Sequence, residues 1–192
     1  MLRNALRPAI LERSKFDVVL GNPPWLSFQR FSRSPQYLQW LRTQVLDEYR
    51  IQERSAPHLF TQMELATLFF ARTADLYLKD GGSLAFVMPR SVMVAQQHAG
   101  FTGMSFKEDG TLTMALQQVL DLEGVTPLFN VPACVLVAHK GPQTAYPVDG
   151  KVLSGGLLVK DRPLAEAREH LEVRSVAYER VEGRLVADAQ PT

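Results

Sequence analysis

Phe16-Asp17-Val18-Val19-Leu20-Gly21-Asn22-Pro23-Pro24-Trp25 is the stretch that decides how this chain reads. Phe16 to Leu20 is short, β-branched and mostly apolar, and Gly21 closes it, which predicts a buried strand of a parallel sheet. The residues after it cannot continue a strand. Neither Pro23 nor Pro24 has an N–H to give a ladder, and each biases the residue before it away from helix. A stiff loop is expected at the carboxyl end of a strand, where open α/β sheets hold their ligands.

Working outward, the first 15 residues read as a short helix or connector, and residues 26–57 are polar, aromatic and arginine-bearing. Tyr37, Leu41 and Val45 have helical spacing, so a helix is expected over about 35–50. From Met63 to Leu78 the apolar stripe of Leu65, Leu68, Phe69, Ala71, Leu76 and Tyr77 predicts a second helix, stopped by Lys79-Asp80-Gly81-Gly82. Ser83 to Met88 is a second buried strand, closed by Pro89. Strand, helix and strand in that order predict a right-handed parallel crossover.

Val119–Leu122 and Ala133–Ala138 are expected to be two further strands. The link between them, Glu123 to Pro132, is too short for a helical crossover, so the pair is expected to be antiparallel. Near 141 the composition shifts to Gly141, Pro142, Pro147, Gly150, Gly155 and Gly156, which places a boundary there: residues 1–140 as one unit, 141–192 as a tail or the start of an additional domain. Within the second part, Pro163–Leu171 reads as a short helix, Tyr178–Val181 and Arg184–Val186 as strands pairing around Glu182-Gly183, and the end from Asp188 as frayed.

The whole chain sets outer limits. At 192 residues with 46% hydrophobic and 21% charged residues, it is long and apolar enough for one domain with a sizeable core, and disorder is excluded. Its net charge of +1 says nothing about partners, so any basic surface is local. The lone Cys134, inside Ala133-Cys134-Val135-Leu136-Val137, forms no intrachain disulfide and reads as a packed strand residue. His58, His98, His139 and His170 are scattered and form no HExxH pair, so no metal site is expected. No apolar run reaches the ~20 residues of a membrane helix and no signal-peptide pattern opens the chain, so a cytoplasmic location is expected by default.

The chemistry lies in the loop. Asn22 offers a neutral amide oxygen, Pro23 a carbonyl, and Trp25 a flat ring. Two acceptors and a stacking face suit a planar group that bears an exocyclic amine. Hydrogen bonds to both amine protons would push the nitrogen towards a nucleophilic geometry. The same acceptors would stabilise the positive charge that develops on it, the reverse of an oxyanion hole. Downstream, Arg30, Arg33 and Arg42 are interleaved with Phe28, Phe31, Tyr37 and Trp40 and no acid over residues 26–46. That segment reads either as a nucleic-acid contact surface or as an amphipathic helix with solvated arginines. Arg90, just past the second strand, reaches either a phosphate or an acid.

Phe16 to Trp25 resembles motif IV of the amino-methyltransferases, especially the DNA adenine-N6 class. Leu65 to Met88 looks like the family's next helix and strand, and Val119 to Lys140 like its last two strands, so the resemblance covers about residues 14–140. It implies an α/β fold: a partial Rossmann-like class I methyltransferase sheet, the later strands of a seven-stranded sheet with an antiparallel last pair. It implies methyl transfer from S-adenosylmethionine to the exocyclic amine of an adenine flipped out of DNA, in a restriction-modification or phage-defence enzyme. Asn22, Pro23, Pro24 and Trp25 would be catalytic, with Asn22 next to the methyl donor. Trp25 and Phe129 would be the two walls of the base pocket, since Phe129 matches an aromatic that packs on the flipped base in this family. Beside the resemblance, and on the nucleic-acid reading of their own segments, Arg30, Arg33, Arg42 and Arg90 would contact nucleic acid.

One part of the family pattern is missing. The cofactor-binding glycine-rich turn after a strand should lie well upstream of Asn22, and the 21 residues before it hold none. The chain is therefore expected to be part of a larger enzyme, completed by an N-terminal half or another subunit, or else a degenerate relative. Alone it is expected to bind S-adenosylmethionine weakly or not at all, and to self-associate through an apolar sheet edge. Two alternatives stand beside the adenine reading: a methyltransferase for guanine N2 in RNA or for glutamine amides in protein, which use the same loop, and a non-catalytic assembly module. The aromatic-arginine insertion and Phe129 favour DNA adenine.

Overall fold

The computed structural model describes residues 15–31, 33–53, 55–157, 159 and 163–188. The connector expected before residue 15 lies outside these residues, as does the frayed end expected over 188–192, apart from Asp188, which is not frayed but pairs with Ala177 at the end of a strand. β1 (Phe16–Gly21) runs parallel to β2 (Leu78–Pro89), and α2 (Leu65–Leu76) lies between them in the chain, as the apolar stripe predicts. Upstream of α2, α1 (Pro35–Arg42) continues into a π-helical turn over Thr43–Glu48, which matches the helix expected over 35–50. Its spacing works as expected on one side: Leu41 and Val45 are fully buried.

The strand order is β1-β2-β5-β4-β6-β7-β8. β4 (Leu112–Thr126) and β5 (Ala133–Lys140) form the expected antiparallel pair, and β5 inserts between β2 and β4, antiparallel to both. This is the mixed α/β sheet that the motif-bearing strand and its neighbours imply. β4 is far longer than Val119–Leu122, because its N-terminal part also pairs with β3 (Ser105–Phe106) and its C-terminal part with β6 (Val148–Gly156). Two short helices, α3 (Ser91–Val94) and α4 (Ala99–Thr102), occupy the stretch between β2 and β3.

Residues beyond 140, where composition suggested a boundary, add three strands to the same sheet. β6 runs parallel to β4, β7 (Leu171–Val181) pairs antiparallel with β6, and β8 (Arg184–Asp188) closes a hairpin on β7. The hairpin turn is Glu182-Gly183, with φ of 48° and 75°, the left-handed pair that a two-residue turn between twisted strands requires. The short helix expected after Pro163 is α5 (Leu164–Glu169). The glycines of this part serve packing as well as turns: a Cβ on Gly150 would stand 2.4 Å from the Tyr178 ring.

Two expectations are corrected. β1 is not buried: Val18 is 59% and Leu20 74% exposed. It is an edge strand with one neighbour among the described residues, and no described element covers its outer face. The register continues that bare face inward, aligning Leu20, Ala85 and Val137 across three strands, with Val87, Val135 and Leu120 in the next row, none of them buried. The opposite face carries the core, where Phe70 of α2 meets Phe86 and Phe101 edge-on at 5.9 and 5.3 Å between centroids. Second, Gly81-Gly82 does not precede the strand but interrupts it. Phe16 pairs with Leu78 and Val18 with Ser83, so Lys79–Gly82 bulges out with Gly81 at φ +76°. Leu78 is fully buried and anchors the strand before the bulge.

Candidate active site

The loop leaves β1 at the carboxyl end of the sheet. Pro23 is buried while Asn22 and Pro24 are exposed, so the amide faces outward from a pinned backbone. Trp25 is fixed in orientation: its indole N–H donates to the Val87 carbonyl at 3.2 Å, on the neighbouring strand. Just beyond, Leu65 N–H donates to Leu26 and Phe28 N–H to Met63, each at 2.9 Å, so the start of α2 is tied to the exit of the loop.

Trp25 and Phe129 are brought together, but in contact with each other and not apart as the two walls of a pocket. Their ring centroids are 5.0 Å apart with planes at 52°. A base stacked between two rings needs about 7 Å, two van der Waals layers. In this arrangement the rings close on each other. Phe129 is 40% exposed and sits in the turn between β4 and β5, so it is the member free to move aside.

Beside Trp25 lies a cleft of about 360 Å³, walled by Trp25, Pro89 and Pro132 and carrying Glu64, Ser91, Arg90 and Glu123 as its polar groups. Arg90 does not face solvent as a free cation. Its Nε donates to Asp121 Oδ2 at 2.8 Å and lies 3.2 Å from Glu123 Oε2. Burial alone would lower the Arg90 pKa; the hydrogen bond and charge of Asp121, with Glu123, outweigh it and raise it. Of the two destinations that sequence left to Arg90, the structure places it on acids. The reason is packing: Asp121 is 4% exposed on β4 and Arg90 is the cation that reaches it.

Sequence reasoning missed the other polar group of the cleft. Glu64 stands at the N-cap of α2. Its carboxylate accepts the Ser91 hydroxyl at 2.9 and 3.0 Å and meets His98 Nε2 at 2.7 Å. His98 is fully buried and its Nδ1 has no hydrogen-bond partner, so Nε2 is the ring atom through which it holds the Glu64 carboxylate. The available signal was positional: Glu64 opens an apolar helix and Ser91 follows a strand-ending proline, both at the rim where the loop sits.

The remaining arginines lie away from this cleft. Arg30 and Arg33 are exposed at and just after the 3-10 turn Phe28–Phe31, and Arg42 stacks its guanidinium 4.7 Å from the Phe60 ring centroid. Cys134 is fully buried, and burial pushes its thiol well above the usual range, as a packed residue requires. Among the described residues no helix is long and apolar enough to cross a membrane, and no group of His, Cys, Asp or Glu could hold a metal ion.

The model of the Eco57I restriction-modification methylase family matches residues 4–127, which is more than half of the chain and includes the loop and the crossover but neither Phe129 nor the Pro132 wall of the cleft. The chain belongs to the Eco57I restriction-modification methylase family. No curated protein matches it. Among solved structures, the type ISP restriction-modification enzyme LlaGI, in complex with a DNA substrate mimic, shares the fold at TM-score 0.54 and 13% identity, over 96% of this chain and 19% of that one. LlaBIII bound to DNA matches at TM-score 0.53 and 12% identity over 96% of this chain and 13% of that one. The DrdV–DNA complex matches at 0.52 and 14%, over 92% and 19%. The Eco57I-family chain described here thus spans less than a fifth of the length of each of these structures.

Membership of a methylase family implies use of S-adenosylmethionine. The described residues do not fit a complete site for it. Asn22, which the resemblance sets next to the methyl donor, is exposed and does not line the cleft beside Trp25.

Proposed function

We propose that this chain is the base-binding part of a DNA adenine-N6 methyltransferase of a restriction-modification or phage-defence system. The observation that carries the reading is the Asn22-Pro23-Pro24-Trp25 loop at the carboxyl end of β1, with Trp25 locked to β2 and paired with Phe129. Trp25 gives the flipped adenine a fixed stacking face. Phe129 swings from its contact with Trp25 to cover the other side, and a base–aromatic stack of about 1–3 kcal/mol offsets part of the unpairing cost. The Asn22 amide oxygen and the Pro23 carbonyl hold the amine. Arg30 and Arg33, exposed beside the loop, meet the phosphate backbone. Arg42, on Phe60, and Arg90, on Asp121 and Glu123, hold the scaffold.

S-adenosylmethionine would supply the methyl group, held mainly by a further segment or subunit. This agrees with the small share of each related structure that the chain spans. The experiment is methylation by the protein that contains this chain, using labelled S-adenosylmethionine on duplex DNA, on structured RNA and on a protein with an exposed glutamine. The expected product is N6-methyladenine in DNA, lost in Asn22→Ala. Label in RNA guanine or in protein glutamine would sink the adenine reading.

A further inference from the structure

We propose that the cleft between α3 and the β7–β8 hairpin reads a G·C base pair beside the flipped base, with Arg174 donating to the guanine and Glu123 accepting from the cytosine. The inference rests on the base-site reading above and adds to it a specificity site, one wall of which, Arg174, lies beyond the matched residues 4–127.

This cleft has a volume of about 480 Å³ and shares Arg90, Val94 and Glu123 with the cleft beside Trp25, so the two open side by side. Asp121, Val152 and Arg174 form one row across β4, β6 and β7. At about 4.8 Å per strand, the backbone of Arg174 stands roughly 10 Å from that of Asp121. Two of the four charged groups are engaged with each other. Asp121 Oδ2 accepts Arg90 Nε at 2.8 Å, and Asp121 Oδ1 accepts the Glu123 N–H at 3.0 Å. The other two charged groups have capacity for a ligand. Arg174 is exposed, and among the described residues no hydrogen bond or ion pair engages its guanidinium. The Glu123 side chain is 54% exposed and meets Arg90 through Oε2 at 3.2 Å, leaving Oε1 as an acceptor.

The charges of the cleft cancel, two arginines against two carboxylates, so it does not draw a phosphate as a free arginine does. What fits is a neutral edge that offers acceptors to Arg174 and an N–H to Glu123. In the major groove a G·C pair presents both: guanine O6 and N7 take the two prongs of an arginine, and cytosine N4 donates to a carboxylate. An A·T pair has the donor but no adjacent pair of acceptors on one base for the arginine fork. One such contact predicts about ten-fold discrimination against the wrong pair.

The test is the set of adenines methylated by the protein that contains this chain, read by sequencing DNA from cells that express it. Wild-type sites are expected to share a G·C pair at one fixed offset from the N6-methyladenine. Arg174→Ala and Glu123→Gln are each expected to lower the preference for that pair about ten-fold and to keep the preferences at the other positions. Arg174→Lys, which still donates to guanine, is expected to retain part of the preference. Loss of structure lowers methylation everywhere and cannot relax one position alone. Wild-type sites that share no G·C pair, or an unchanged site in Arg174→Ala, overturn the proposal and leave the base-site reading standing. Methylation that falls equally at all sequences in both Arg174→Ala and Glu123→Gln overturns it as well, since a phosphate contact behaves in that way. No N6-methyladenine from the wild type overturns the base-site reading and the proposal together.

Discussion

Trp25 and Phe129 touch across the rim of the sheet, their centroids 5.0 Å apart and their planes inclined by 52°. One ring is held by a hydrogen bond to β2; the other is carried on a turn. The two should therefore respond differently to truncation. Phe129→Ala, at a 40% exposed position, is expected to change stability by less than about 0.5 kcal/mol. It is expected to weaken capture of an extrahelical base by about 1–3 kcal/mol. Fluorescence of a 2-aminopurine placed at the target position of duplex DNA would follow the second effect and thermal unfolding the first.

Arg90 and Asp121 give a prediction of opposite character. Arg90→Ala would strand the nearly buried Asp121 carboxylate, at a cost of about 2–4 kcal/mol, near the lower end of the range for buried pairs because Arg90 is itself partly exposed. Arg90→Met with Asp121→Asn is expected to recover most of that loss in urea unfolding. A protein as stable in the single variant as in the wild type would show that the pair does not hold this corner.

The arginines near the loop separate by salt dependence. Removing a phosphate contact lowers the slope of log affinity against log salt by about one. Arg30→Ala and Arg33→Ala are each expected to do so in DNA binding by the protein that contains this chain. Arg42→Ala, which loses a stack on Phe60, is expected to leave the slope unchanged.

Gly100→Ala tests the packing behind His98. A Cβ there would stand 2.5 Å from the Ile51 carbonyl oxygen, a backbone atom that cannot step aside. The expected loss is about 1–3 kcal/mol, or roughly 2–4 °C of Tm per kcal/mol, by calorimetry.

Cys134 sets an alkaline limit. Burial raises its thiol pKa in the folded state. A raised value means the folded chain keeps a proton that the unfolded chain releases. The contribution is complete below the unfolded thiol pKa of about 8.5 and is lost as pH rises above it. Cys134→Ala is expected to flatten the fall of stability above that pH, measured against its own neutral-pH value. Native protein at pH 8 should resist thiol reagents until denaturant is added.

How much of this was legible in the sequence depended on whether the cause was local. The loop, α2 and the β4–β5 pair follow from prolines, apolar spacing and link length, all of which act within a few residues. The Glu182-Gly183 hairpin was equally local. The exposure of Val18 and Leu20 was not, because a β-branched run looks the same at the centre of a sheet and at its edge. Compositional change at 141 suggested a boundary, yet Gly150 is there because the Tyr178 ring needs its space within the sheet. Glu64, Ser91 and His98 are spread over more than thirty residues and meet only when the crossover closes, so no spacing rule could gather them.

The uncovered rows led by Leu20–Ala85–Val137 and Val87–Val135–Leu120 have a consequence for how robust the protein is. Whatever lies on those residues binds the folded chain and not the unfolded one. Its stabilisation then grows with the logarithm of its concentration. The melting temperature of this chain is thus expected to be a function of dilution, climbing as more of the covering surface is supplied, whether by a second segment or by another copy.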